Sequence, residues 1–511
     1  MEKRVLFAAV LSAVFLSWYA QTVLKPAARP RPANQPVAEK SSEQPDAPQI
    51  VADEQPIFLE SDDLLLEVGT KSGAIRSVTL RKFLNEAKTS PLVFRGSLPI
   101  VQLRLARGPL SWNMISHTKT GVQFNVVGDN EEHYHISYEL NASNSFIDIE
   151  LSDITHTENL SFAKDILFQY SWMRSDRLNE RSNQLEMLVL QKNGNGKEVH
   201  KRYIGSPNQT RIVPRGTRIV SLAERYFCQS VRSSESSELT TTLHPLKNGI
   251  IWATTAVLPG LKENPTSLQI YFGPRDYFHM KRAGFAEAFK IGALGQIGLI
   301  LLSLLKWIAS ITKNYGVAII VFCTIITAMT APFTIISFRS MKKMQELKPR
   351  IDKLMTQHKD DSTRLNKEIF ALYREHKVSP LSGCLPMLLQ MPIFIALLQA
   401  ISHFIDLRGQ AFLWIKDLSL PDRLMPLPIS LPILGGDLNL LPILMAGAMF
   451  AQSKVTQASQ AVDPDNPTAK LMSGPFMSIM FGVMFYQFPS GLVLYWLSNS
   501  LISMVFYRLA K

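Results

Sequence analysis

Polar and apolar residues change their period along the chain, and each period predicts a different kind of element. From about Ile57 to Tyr277 the period is two. Val101, Leu103 and Leu105 alternate with Gln102 and Arg104, and Tyr134, Ile136, Tyr138 and Leu140 alternate with His135, Ser137 and Glu139. Ile147, Ile149 and Leu151 bracket Asp148 and Glu150 in the same way. Such alternation belongs to half-buried antiparallel strands. Turn signals such as Gly128-Asp129-Asn130 and Asn193-Gly194-Asn195-Gly196 separate the runs, so residues 57–280 are expected to form an antiparallel β-sandwich.

Elsewhere the apolar residues gather into long runs. Val5 to Leu24 carries no charge and follows Lys3 and Arg4, which fits one span of about 20 residues. A cleaved signal peptide is the alternative. Trp18, Tyr19, Gln21 and Thr22 stand where small residues would mark cleavage, so 1–24 is expected to be an uncleaved N-terminal transmembrane anchor. Residues 25–56 are rich in Pro, Ala, Gln and Glu and cannot bury a core, which predicts a disordered linker. Beyond the β-domain, spans are expected at about 314–338, 380–402, 438–455, 472–488 and 490–507, making six with the anchor. Phe488-Pro489-Ser490-Gly491 supplies the turn between the last two. Lys290 and Lys306 interrupt the apolar run before Lys313, so 281–313 is expected to hold an interfacial amphipathic helix with Trp307 at headgroup level.

Composition agrees with a chain partly in lipid. Of 511 residues 46% are hydrophobic and 19% charged, and mean hydropathy is +0.05, against roughly 25% charged in soluble proteins. Cys323 and Cys384 lie in apolar runs and Cys228 has no companion in its own region, which leaves no disulfide framework. The net charge of +12 is unevenly spread. Arg339 to Ser379 carries a net +5, His403 to Asp437 a net −1. The positive-inside rule then places the first segment and both termini in the cytoplasm, and the β-domain outside.

The basic segment 339–379 has internal order. Met344, Leu347, Ile351 and Leu354 recur at helical spacing, as do Leu365, Ile369 and Leu372, with His358-Lys359-Asp360-Asp361-Ser362 as a turn. A helical hairpin is expected, presenting Lys342, Lys343, Lys348, Arg350 and Lys353 either to anionic headgroups or to a ribosome, signal recognition particle or nascent chain.

The spans carry unusual polarity: Thr324, Thr327 and Thr330 on one, Gln390 and Gln399 on the next, Gln452 and Ser453 on a third, and Ser498, Asn499, Ser500 and Ser503 on the last. Polar groups in hydrocarbon are costly unless they pair or face water. They imply either a hydrated groove or helix–helix hydrogen bonding. Charge-free spans lack the residues of a proton relay or voltage sensor. No phosphate loop, His-Glu-x-x-His or nucleophile elbow occurs, and His133 with His135 lacks a third ligand. The reading is of a protein that is not an enzyme and needs no metal or cofactor. A channel or flippase, or a sugar-binding domain on a membrane anchor, remain open alternatives.

Leu347-Lys348-Pro349-Arg350-Ile351, Ala371-Leu372-Tyr373-Arg374, Pro380-Leu381-Ser382-Gly383-Cys384-Leu385-Pro386, Gln390-Met391-Pro392-Ile393-Phe394 and Phe488-Pro489-Ser490-Gly491-Leu492-Val493-Leu494-Tyr495-Trp496 form one ordered series. The series resembles the YidC/Oxa/Alb family of membrane insertases. Tyr271-Phe272-Gly273-Pro274 is similar to the Gram-negative form with a large periplasmic domain. The resemblance implies a polytopic α-helical membrane protein of the bacterial inner membrane. It would have a five-helix insertase core, a periplasmic β-sandwich and a cytoplasmic hairpin. It also implies insertion of nascent membrane proteins, alone or beside the Sec translocon, without nucleotide. The implied groove residues are Thr324, Thr327, Thr330, Gln452, Trp496, Ser498 and Asn499. The implied slide is lined by Pro386, Met387, Met391 and Phe394, with Met480, Met484 and Phe485 opposite. One departure stands out: the family places an arginine in the groove, five residues before a proline, where this chain has Thr327 before Pro332.

Overall fold

The computed structural model describes residues 54–84, 89–95, 99–105, 110–128, 133–141, 145–153, 166–171, 186–192, 198–204, 211–233, 238–245, 251–258, 266–288, 293–358, 361–376, 378, 385–402, 404–431, 434–457 and 474–509. The expected anchor, nearly all of the linker and the Asn193–Gly196 turn lie outside them. The chain divides into a unit ending at Phe289 and a unit beginning at Lys290, and each is described by itself.

The described strands of the first unit begin with β1 (Pro56–Glu60), β2 (Leu64–Gly69), β3 (Ile75–Leu84), β4 (Pro91–Arg95), β5 (Val101–Leu105) and β6 (Ser111–His117). They continue with β7 (Gly121–Val127), β8 (His133–Leu140), β9 (Phe146–Asp153), β10 (Ile166–Ser171), β11 (Glu186–Lys192) and β12 (Glu198–Ile204). The last are β13 (Arg211–Ala223), β14 (Phe227–Ser233), β15 (Glu238–Pro245), β16 (Ile251–Leu258) and β17 (Thr266–Pro274). One layer runs β12-β11-β13-β14-β17-β9-β8-β7-β6. The other runs from β1 through β2 and β3 to β5, β10, β16 and β15, with β4 also on β3. All these pairings are antiparallel.

β13 turns the corner between layers. Its C-terminal half pairs with β11 and β14, its N-terminal part with β15, and the register breaks between Val213 and Thr217. Pro214 and Gly216 stand in that break, where a residue without an N–H and one without a side chain interrupt a ladder.

Inward-facing aromatics join the layers. Phe227 of β14 meets Phe94 of β4 at 5.5 Å and Phe83 of β3 at 5.9 Å between ring centroids. The Tyr138 hydroxyl of β8 donates to the Gly73 carbonyl at 2.9 Å. Gly73 has φ +58°, and a Cβ there would meet the Trp112 ring at 2.1 Å, so this turn accepts only glycine.

Gln229 points into this core fully buried, and among the described residues neither end of its amide has a partner. An unpaired buried amide costs roughly 1–3 kcal/mol. Gln229→Leu is therefore expected to stabilise the unit by about that amount, read as a higher denaturation midpoint of the full chain in detergent. A loss of similar size would contradict the assignment.

The opposite face of β14 receives α1 (Tyr277–Arg282) and a short turn, Ala286–Ala288. Cys228, Tyr271, Met280 and Phe285 pack there. Burial pushes the Cys228 thiol up to about 12, so it stays protonated and unreactive at neutral pH. Arg275 is buried, donating to the Glu186 carboxylate and to the Glu224 carbonyl at 3.0 Å. That pair fixes the chain as it leaves β17.

The second unit is helical: α2 (Ala293–Thr312), α3 (Tyr315–Glu346), α4 (Lys348–Gln357), α5 (Ser362–Glu375), α6 (Leu385–Ser402), α7 (Leu440–Gln457), α8 (Gly474–Met484) and α9 (Ser490–Leu509). A short hairpin of β18 (Met425–Leu431) and β19 (Gly435–Leu438) precedes α7. Among the described residues Gly295–Thr312 and Tyr315–Met344 are long and apolar enough to cross a membrane by length and composition, while Gln390–Ile401 and Ser490–Phe506 are shorter apolar helices. α9 packs between α3 and α7, α8 lies on α7, and α2 lies on α6 and α3. α4 and α5 fold back on each other around Leu347, Ile351 and Val378, with Met344, Met355, Ile369, Leu372 and Tyr373 against them.

α2 turns Ile297, Ile300, Trp307 and Ile311 outward together with Gln296, Ser303 and Ser310. Lys306, which interrupts the sequence pattern, is paired with Asp406 at 3.0 Å.

Candidate functional site

Six helix ends meet at one end of the helical unit: the starts of α3, α7 and α9 and the ends of α2, α6 and α8. The segment from Phe404 to Asn439 closes that end. Phe404, Ile405, Leu407, Ile415 and Leu418 are each at most 3% exposed. Ser490 donates its N–H and hydroxyl to the Leu420 carbonyl at 2.8 and 2.6 Å, and the Gly491 N–H reaches the Leu418 carbonyl at 2.8 Å. Asp422 accepts from the Trp414 indole at 3.2 Å and from the Leu441 N–H at 2.8 Å. The Asn439 amide donates to the Tyr486 carbonyl at 2.7 Å. Gly316 leaves room for Phe412, whose ring lies 2.1 Å from where a Cβ would stand. Together these contacts form a packed plug.

Deeper along the helices α9 takes part in two clusters of different chemistry, and α6 contributes to both. Toward α3 and Gln390 of α6 it presents a polar seam. The Cys323 thiol lies 3.5 Å from the Tyr495 carbonyl, the Thr327 hydroxyl donates to Asn499 Oδ1 at 3.1 Å, and the Gln390 amide donates to the Tyr495 hydroxyl. Tyr495 and Asn499 are one helical turn apart, so one face of α9 supplies both. Thr327 stands twelve residues into α3, roughly 18 Å from the plug. That distance is a little over half the thickness of a hydrocarbon core of ~30 Å.

Another side of α9 carries an aromatic cluster. Trp496 has Phe394 at 4.8 Å, Phe485 at 5.4 Å and Phe481 at 5.6 Å. Such pairs add about 0.5–1.5 kcal/mol beyond burial.

The expected groove residues separate accordingly. Thr327, Ser498 and Asn499 lie in or beside the seam, with Thr327 8% and Ser498 7% exposed. Thr324 is exposed and donates to Ile320 of its own helix, and Thr330 bonds back to Ile326 and Thr327. Gln452 is half-buried on α7. Trp496 stands among aromatics rather than in the seam.

The expected slide residues differ in exposure. Phe394 and Phe485 are 3% and 0% exposed and pack against Trp496. Met391 and Met484 are half-buried and Met480 is 37% exposed. Exposed Phe476, Ile479 and Val483 continue the Met480 side of α8. Pro386 and Met387 stand at the start of α6, and their side chains lie outside the described residues. Lys342, Lys343, Lys348, Arg350 and Lys353 are all exposed.

Sequence reasoning missed Cys323, Tyr495 and the Lys306–Asp406 pair. The i, i+4 spacing of Tyr495 and Asn499 was the available signal for the second.

Two described helices long and apolar enough to cross a membrane by length and composition, a polar seam and a plugged end make this unit a helical bundle of membrane-compatible composition. Residues 307–510 match the 60Kd inner membrane protein family. Relatives named membrane protein insertase YidC include one from Endomicrobium trichonymphae, 41% identical over 242 residues, 47% of this chain and 44% of the relative. Another, from Pelobacter propionicus, is 37% identical over 289 residues, 55% of this chain and 52% of the relative. The match thus spans about half the length of these relatives. Among solved structures, an active YidC insertase with its first transmembrane domain resolved aligns over 90% of this chain and 93% of that one, at 17% identity and a TM-score of 0.38.

Proposed function

We propose that the protein is a membrane protein insertase and chaperone of the bacterial inner membrane. The observation that carries this reading is the polar seam of Thr327, Asn499, Gln390 and Tyr495 in an otherwise apolar bundle whose one end is plugged. The names of the relatives support it.

On this reading the chain crosses the membrane six times, both termini and the α4–α5 hairpin face the cytoplasm, and the β-domain is periplasmic. The charge bias of the loops sets that orientation, and the plug then faces the periplasm. A substrate enters from the cytoplasm. Its short external segment meets polar side chains at the seam while its apolar part moves along α6 and α8 into lipid. Transfer of apolar surface, about 0.8 kcal/mol per CH₂, drives the step. The protein lowers the cost of the polar crossing, so no nucleotide or cofactor takes part. Met391, Met480 and Met484 adapt to varied substrates because thioether chains repack easily. The exposed lysines and arginines of the hairpin suit a ribosome, the signal recognition particle pathway or anionic lipid, and the Sec translocon with its accessory subunits is a further partner.

Site-directed photo-crosslinking tests the route. A crosslinker at Thr330 or Met480 is expected to capture an inserting single-span substrate, while one at Val505, on the exposed side of α9, captures little. Equal capture at all three positions would contradict a defined path.

A further inference from the structure

We infer that Glu54 is a latch: its carboxylate fills a carboxylate-binding socket built by the β2–β3 turn, and this side chain keeps β1 on its sheet when the chain upstream is pulled. The inference concerns the β unit alone and does not depend on insertion activity.

The socket consists of donors that converge on one carboxylate. Glu54 Oε2 accepts from the Lys71 N–H at 2.7 Å. Oε1 accepts from the Ser72 hydroxyl at 2.6 Å and from the Arg76 guanidinium at 2.7 Å. The Glu54 side chain is 0% exposed and that of Arg76 12%, so water competes little for these bonds. One residue on, the Gln55 carbonyl accepts from the Thr70 hydroxyl at 2.9 Å. Space is reserved for the carboxylate as well. A Cβ on Gly69 would stand 2.1 Å from Glu54 Oε1, so a side chain there would expel it. The turn that carries the donors is itself held in shape. Gly69 donates its N–H to the Ala74 carbonyl at 2.9 Å, Gly73 to the Gly69 carbonyl at 3.0 Å, and Ala74 to Ser72 Oγ at 3.2 Å.

The position of the socket shows what it does. β1 stands at the end of its layer, paired with β2 from Pro56 opposite Gly69 to Glu60 opposite Leu65. Its first residue, Pro56, has no N–H to give to a ladder. The far end of β1 has further partners. The Glu60 N–H reaches the Lys119 carbonyl at 2.7 Å, its carboxylate meets Arg81 at 2.6 Å, and a His117 ring nitrogen lies 3.2 Å from the Phe58 carbonyl. Tension from upstream arrives at the other end, where an edge strand opens pair by pair. Glu54 takes that tension first. Through Arg76 it passes the load to β3, which lies inside the layer between β2 and β5.

Glu54→Ala removes a group the size of acetate and leaves the socket in place. Hydrogen exchange of the full chain in detergent, read by mass spectrometry, is expected to quicken about tenfold in β1 and to stay unchanged in β8. Acetate, but not chloride at equal ionic strength, is expected to restore part of the β1 protection by filling the socket. Glu54→Gln, a milder change that leaves the Lys71 and Ser72 donors an acceptor, is expected to give an intermediate rate. Unchanged β1 exchange in Glu54→Ala would overturn the latch, as would equal acceleration throughout the unit in both variants. Acceleration that acetate leaves untouched would overturn the socket. Pulling on handles attached at Gln44→Cys and Gln123→Cys, with the native cysteines replaced by alanine, tests the load path. In Glu54→Ala, release of residues 54–60 is expected as a separate first extension of about 25 Å, which the chain with Glu54 does not show. The same first step in both chains would overturn the inference.

Discussion

Arg275→Met is expected to destabilise the β unit by about 3–5 kcal/mol, the cost of taking the guanidinium away from a buried carboxylate. Side-chain exposure is 6% for Arg275 and 9% for Glu186, so water cannot take over the lost contact. The guanidinium also holds the Glu224 carbonyl at 3.0 Å, and both contacts vanish together. Chemical denaturation of the full chain in detergent, followed by the β signal in circular dichroism, reads the loss. The double variant Arg275→Met with Glu186→Met is expected to regain most of it, because two apolar side chains of similar volume replace the pair. If the single variant unfolds at the wild-type midpoint, the pair does not anchor the end of β17.

The second large effect concerns the seam. Thr327→Val with Asn499→Leu removes a hydrogen bond between α3 and α9, yet interhelical bonds in membranes average only about 0.6 kcal/mol. The bundle should therefore remain folded. What is lost is polar lining: a substrate's hydrophilic segment now crosses an apolar wall, where each unpaired group costs roughly 1–3 kcal/mol. A fall of about tenfold in insertion, equivalent to ~1.4 kcal/mol, is expected for substrates with polar external segments. Purely apolar ones should change little. Thr327→Arg gives the converse test, since a positive charge at this depth favours acidic segments over neutral ones. Unchanged insertion in the double variant would show that the seam is only structural.

These residues also show what the sequence could and could not convey. The β strands are legible because a sheet with one buried face alternates with a period of two: Tyr134, Ile136, Tyr138 and Leu140 are all buried in β8. The corner in β13 is not legible, since a strand that changes partners midway keeps the same alternation. In the hairpin helices, Leu347, Ile351, Ile369 and Leu372 declare themselves by spacing because water lies on the other side. Inside a bilayer that contrast disappears. Lipid is as apolar as a protein interior, so nothing in hydropathy says that Phe394 and Phe485 face inward or that Ile479 faces out. Polar residues within the spans are informative for the opposite reason: Thr327 and Asn499 must find partners, though which residue each meets is a matter of packing. Lys306 shows the limit of reading a charge singly. Its partner, Asp406, stands a hundred residues later.

The most direct measurement is insertion of a small one- or two-span protein into liposomes that contain only this chain, with protease protection reporting the crossing of the external segment. Protection well above that of empty liposomes, without nucleotide and diminished by Thr327→Val with Asn499→Leu, is the predicted result. Protection no greater than in empty liposomes, with the chain folded and correctly oriented, would contradict an autonomous insertase.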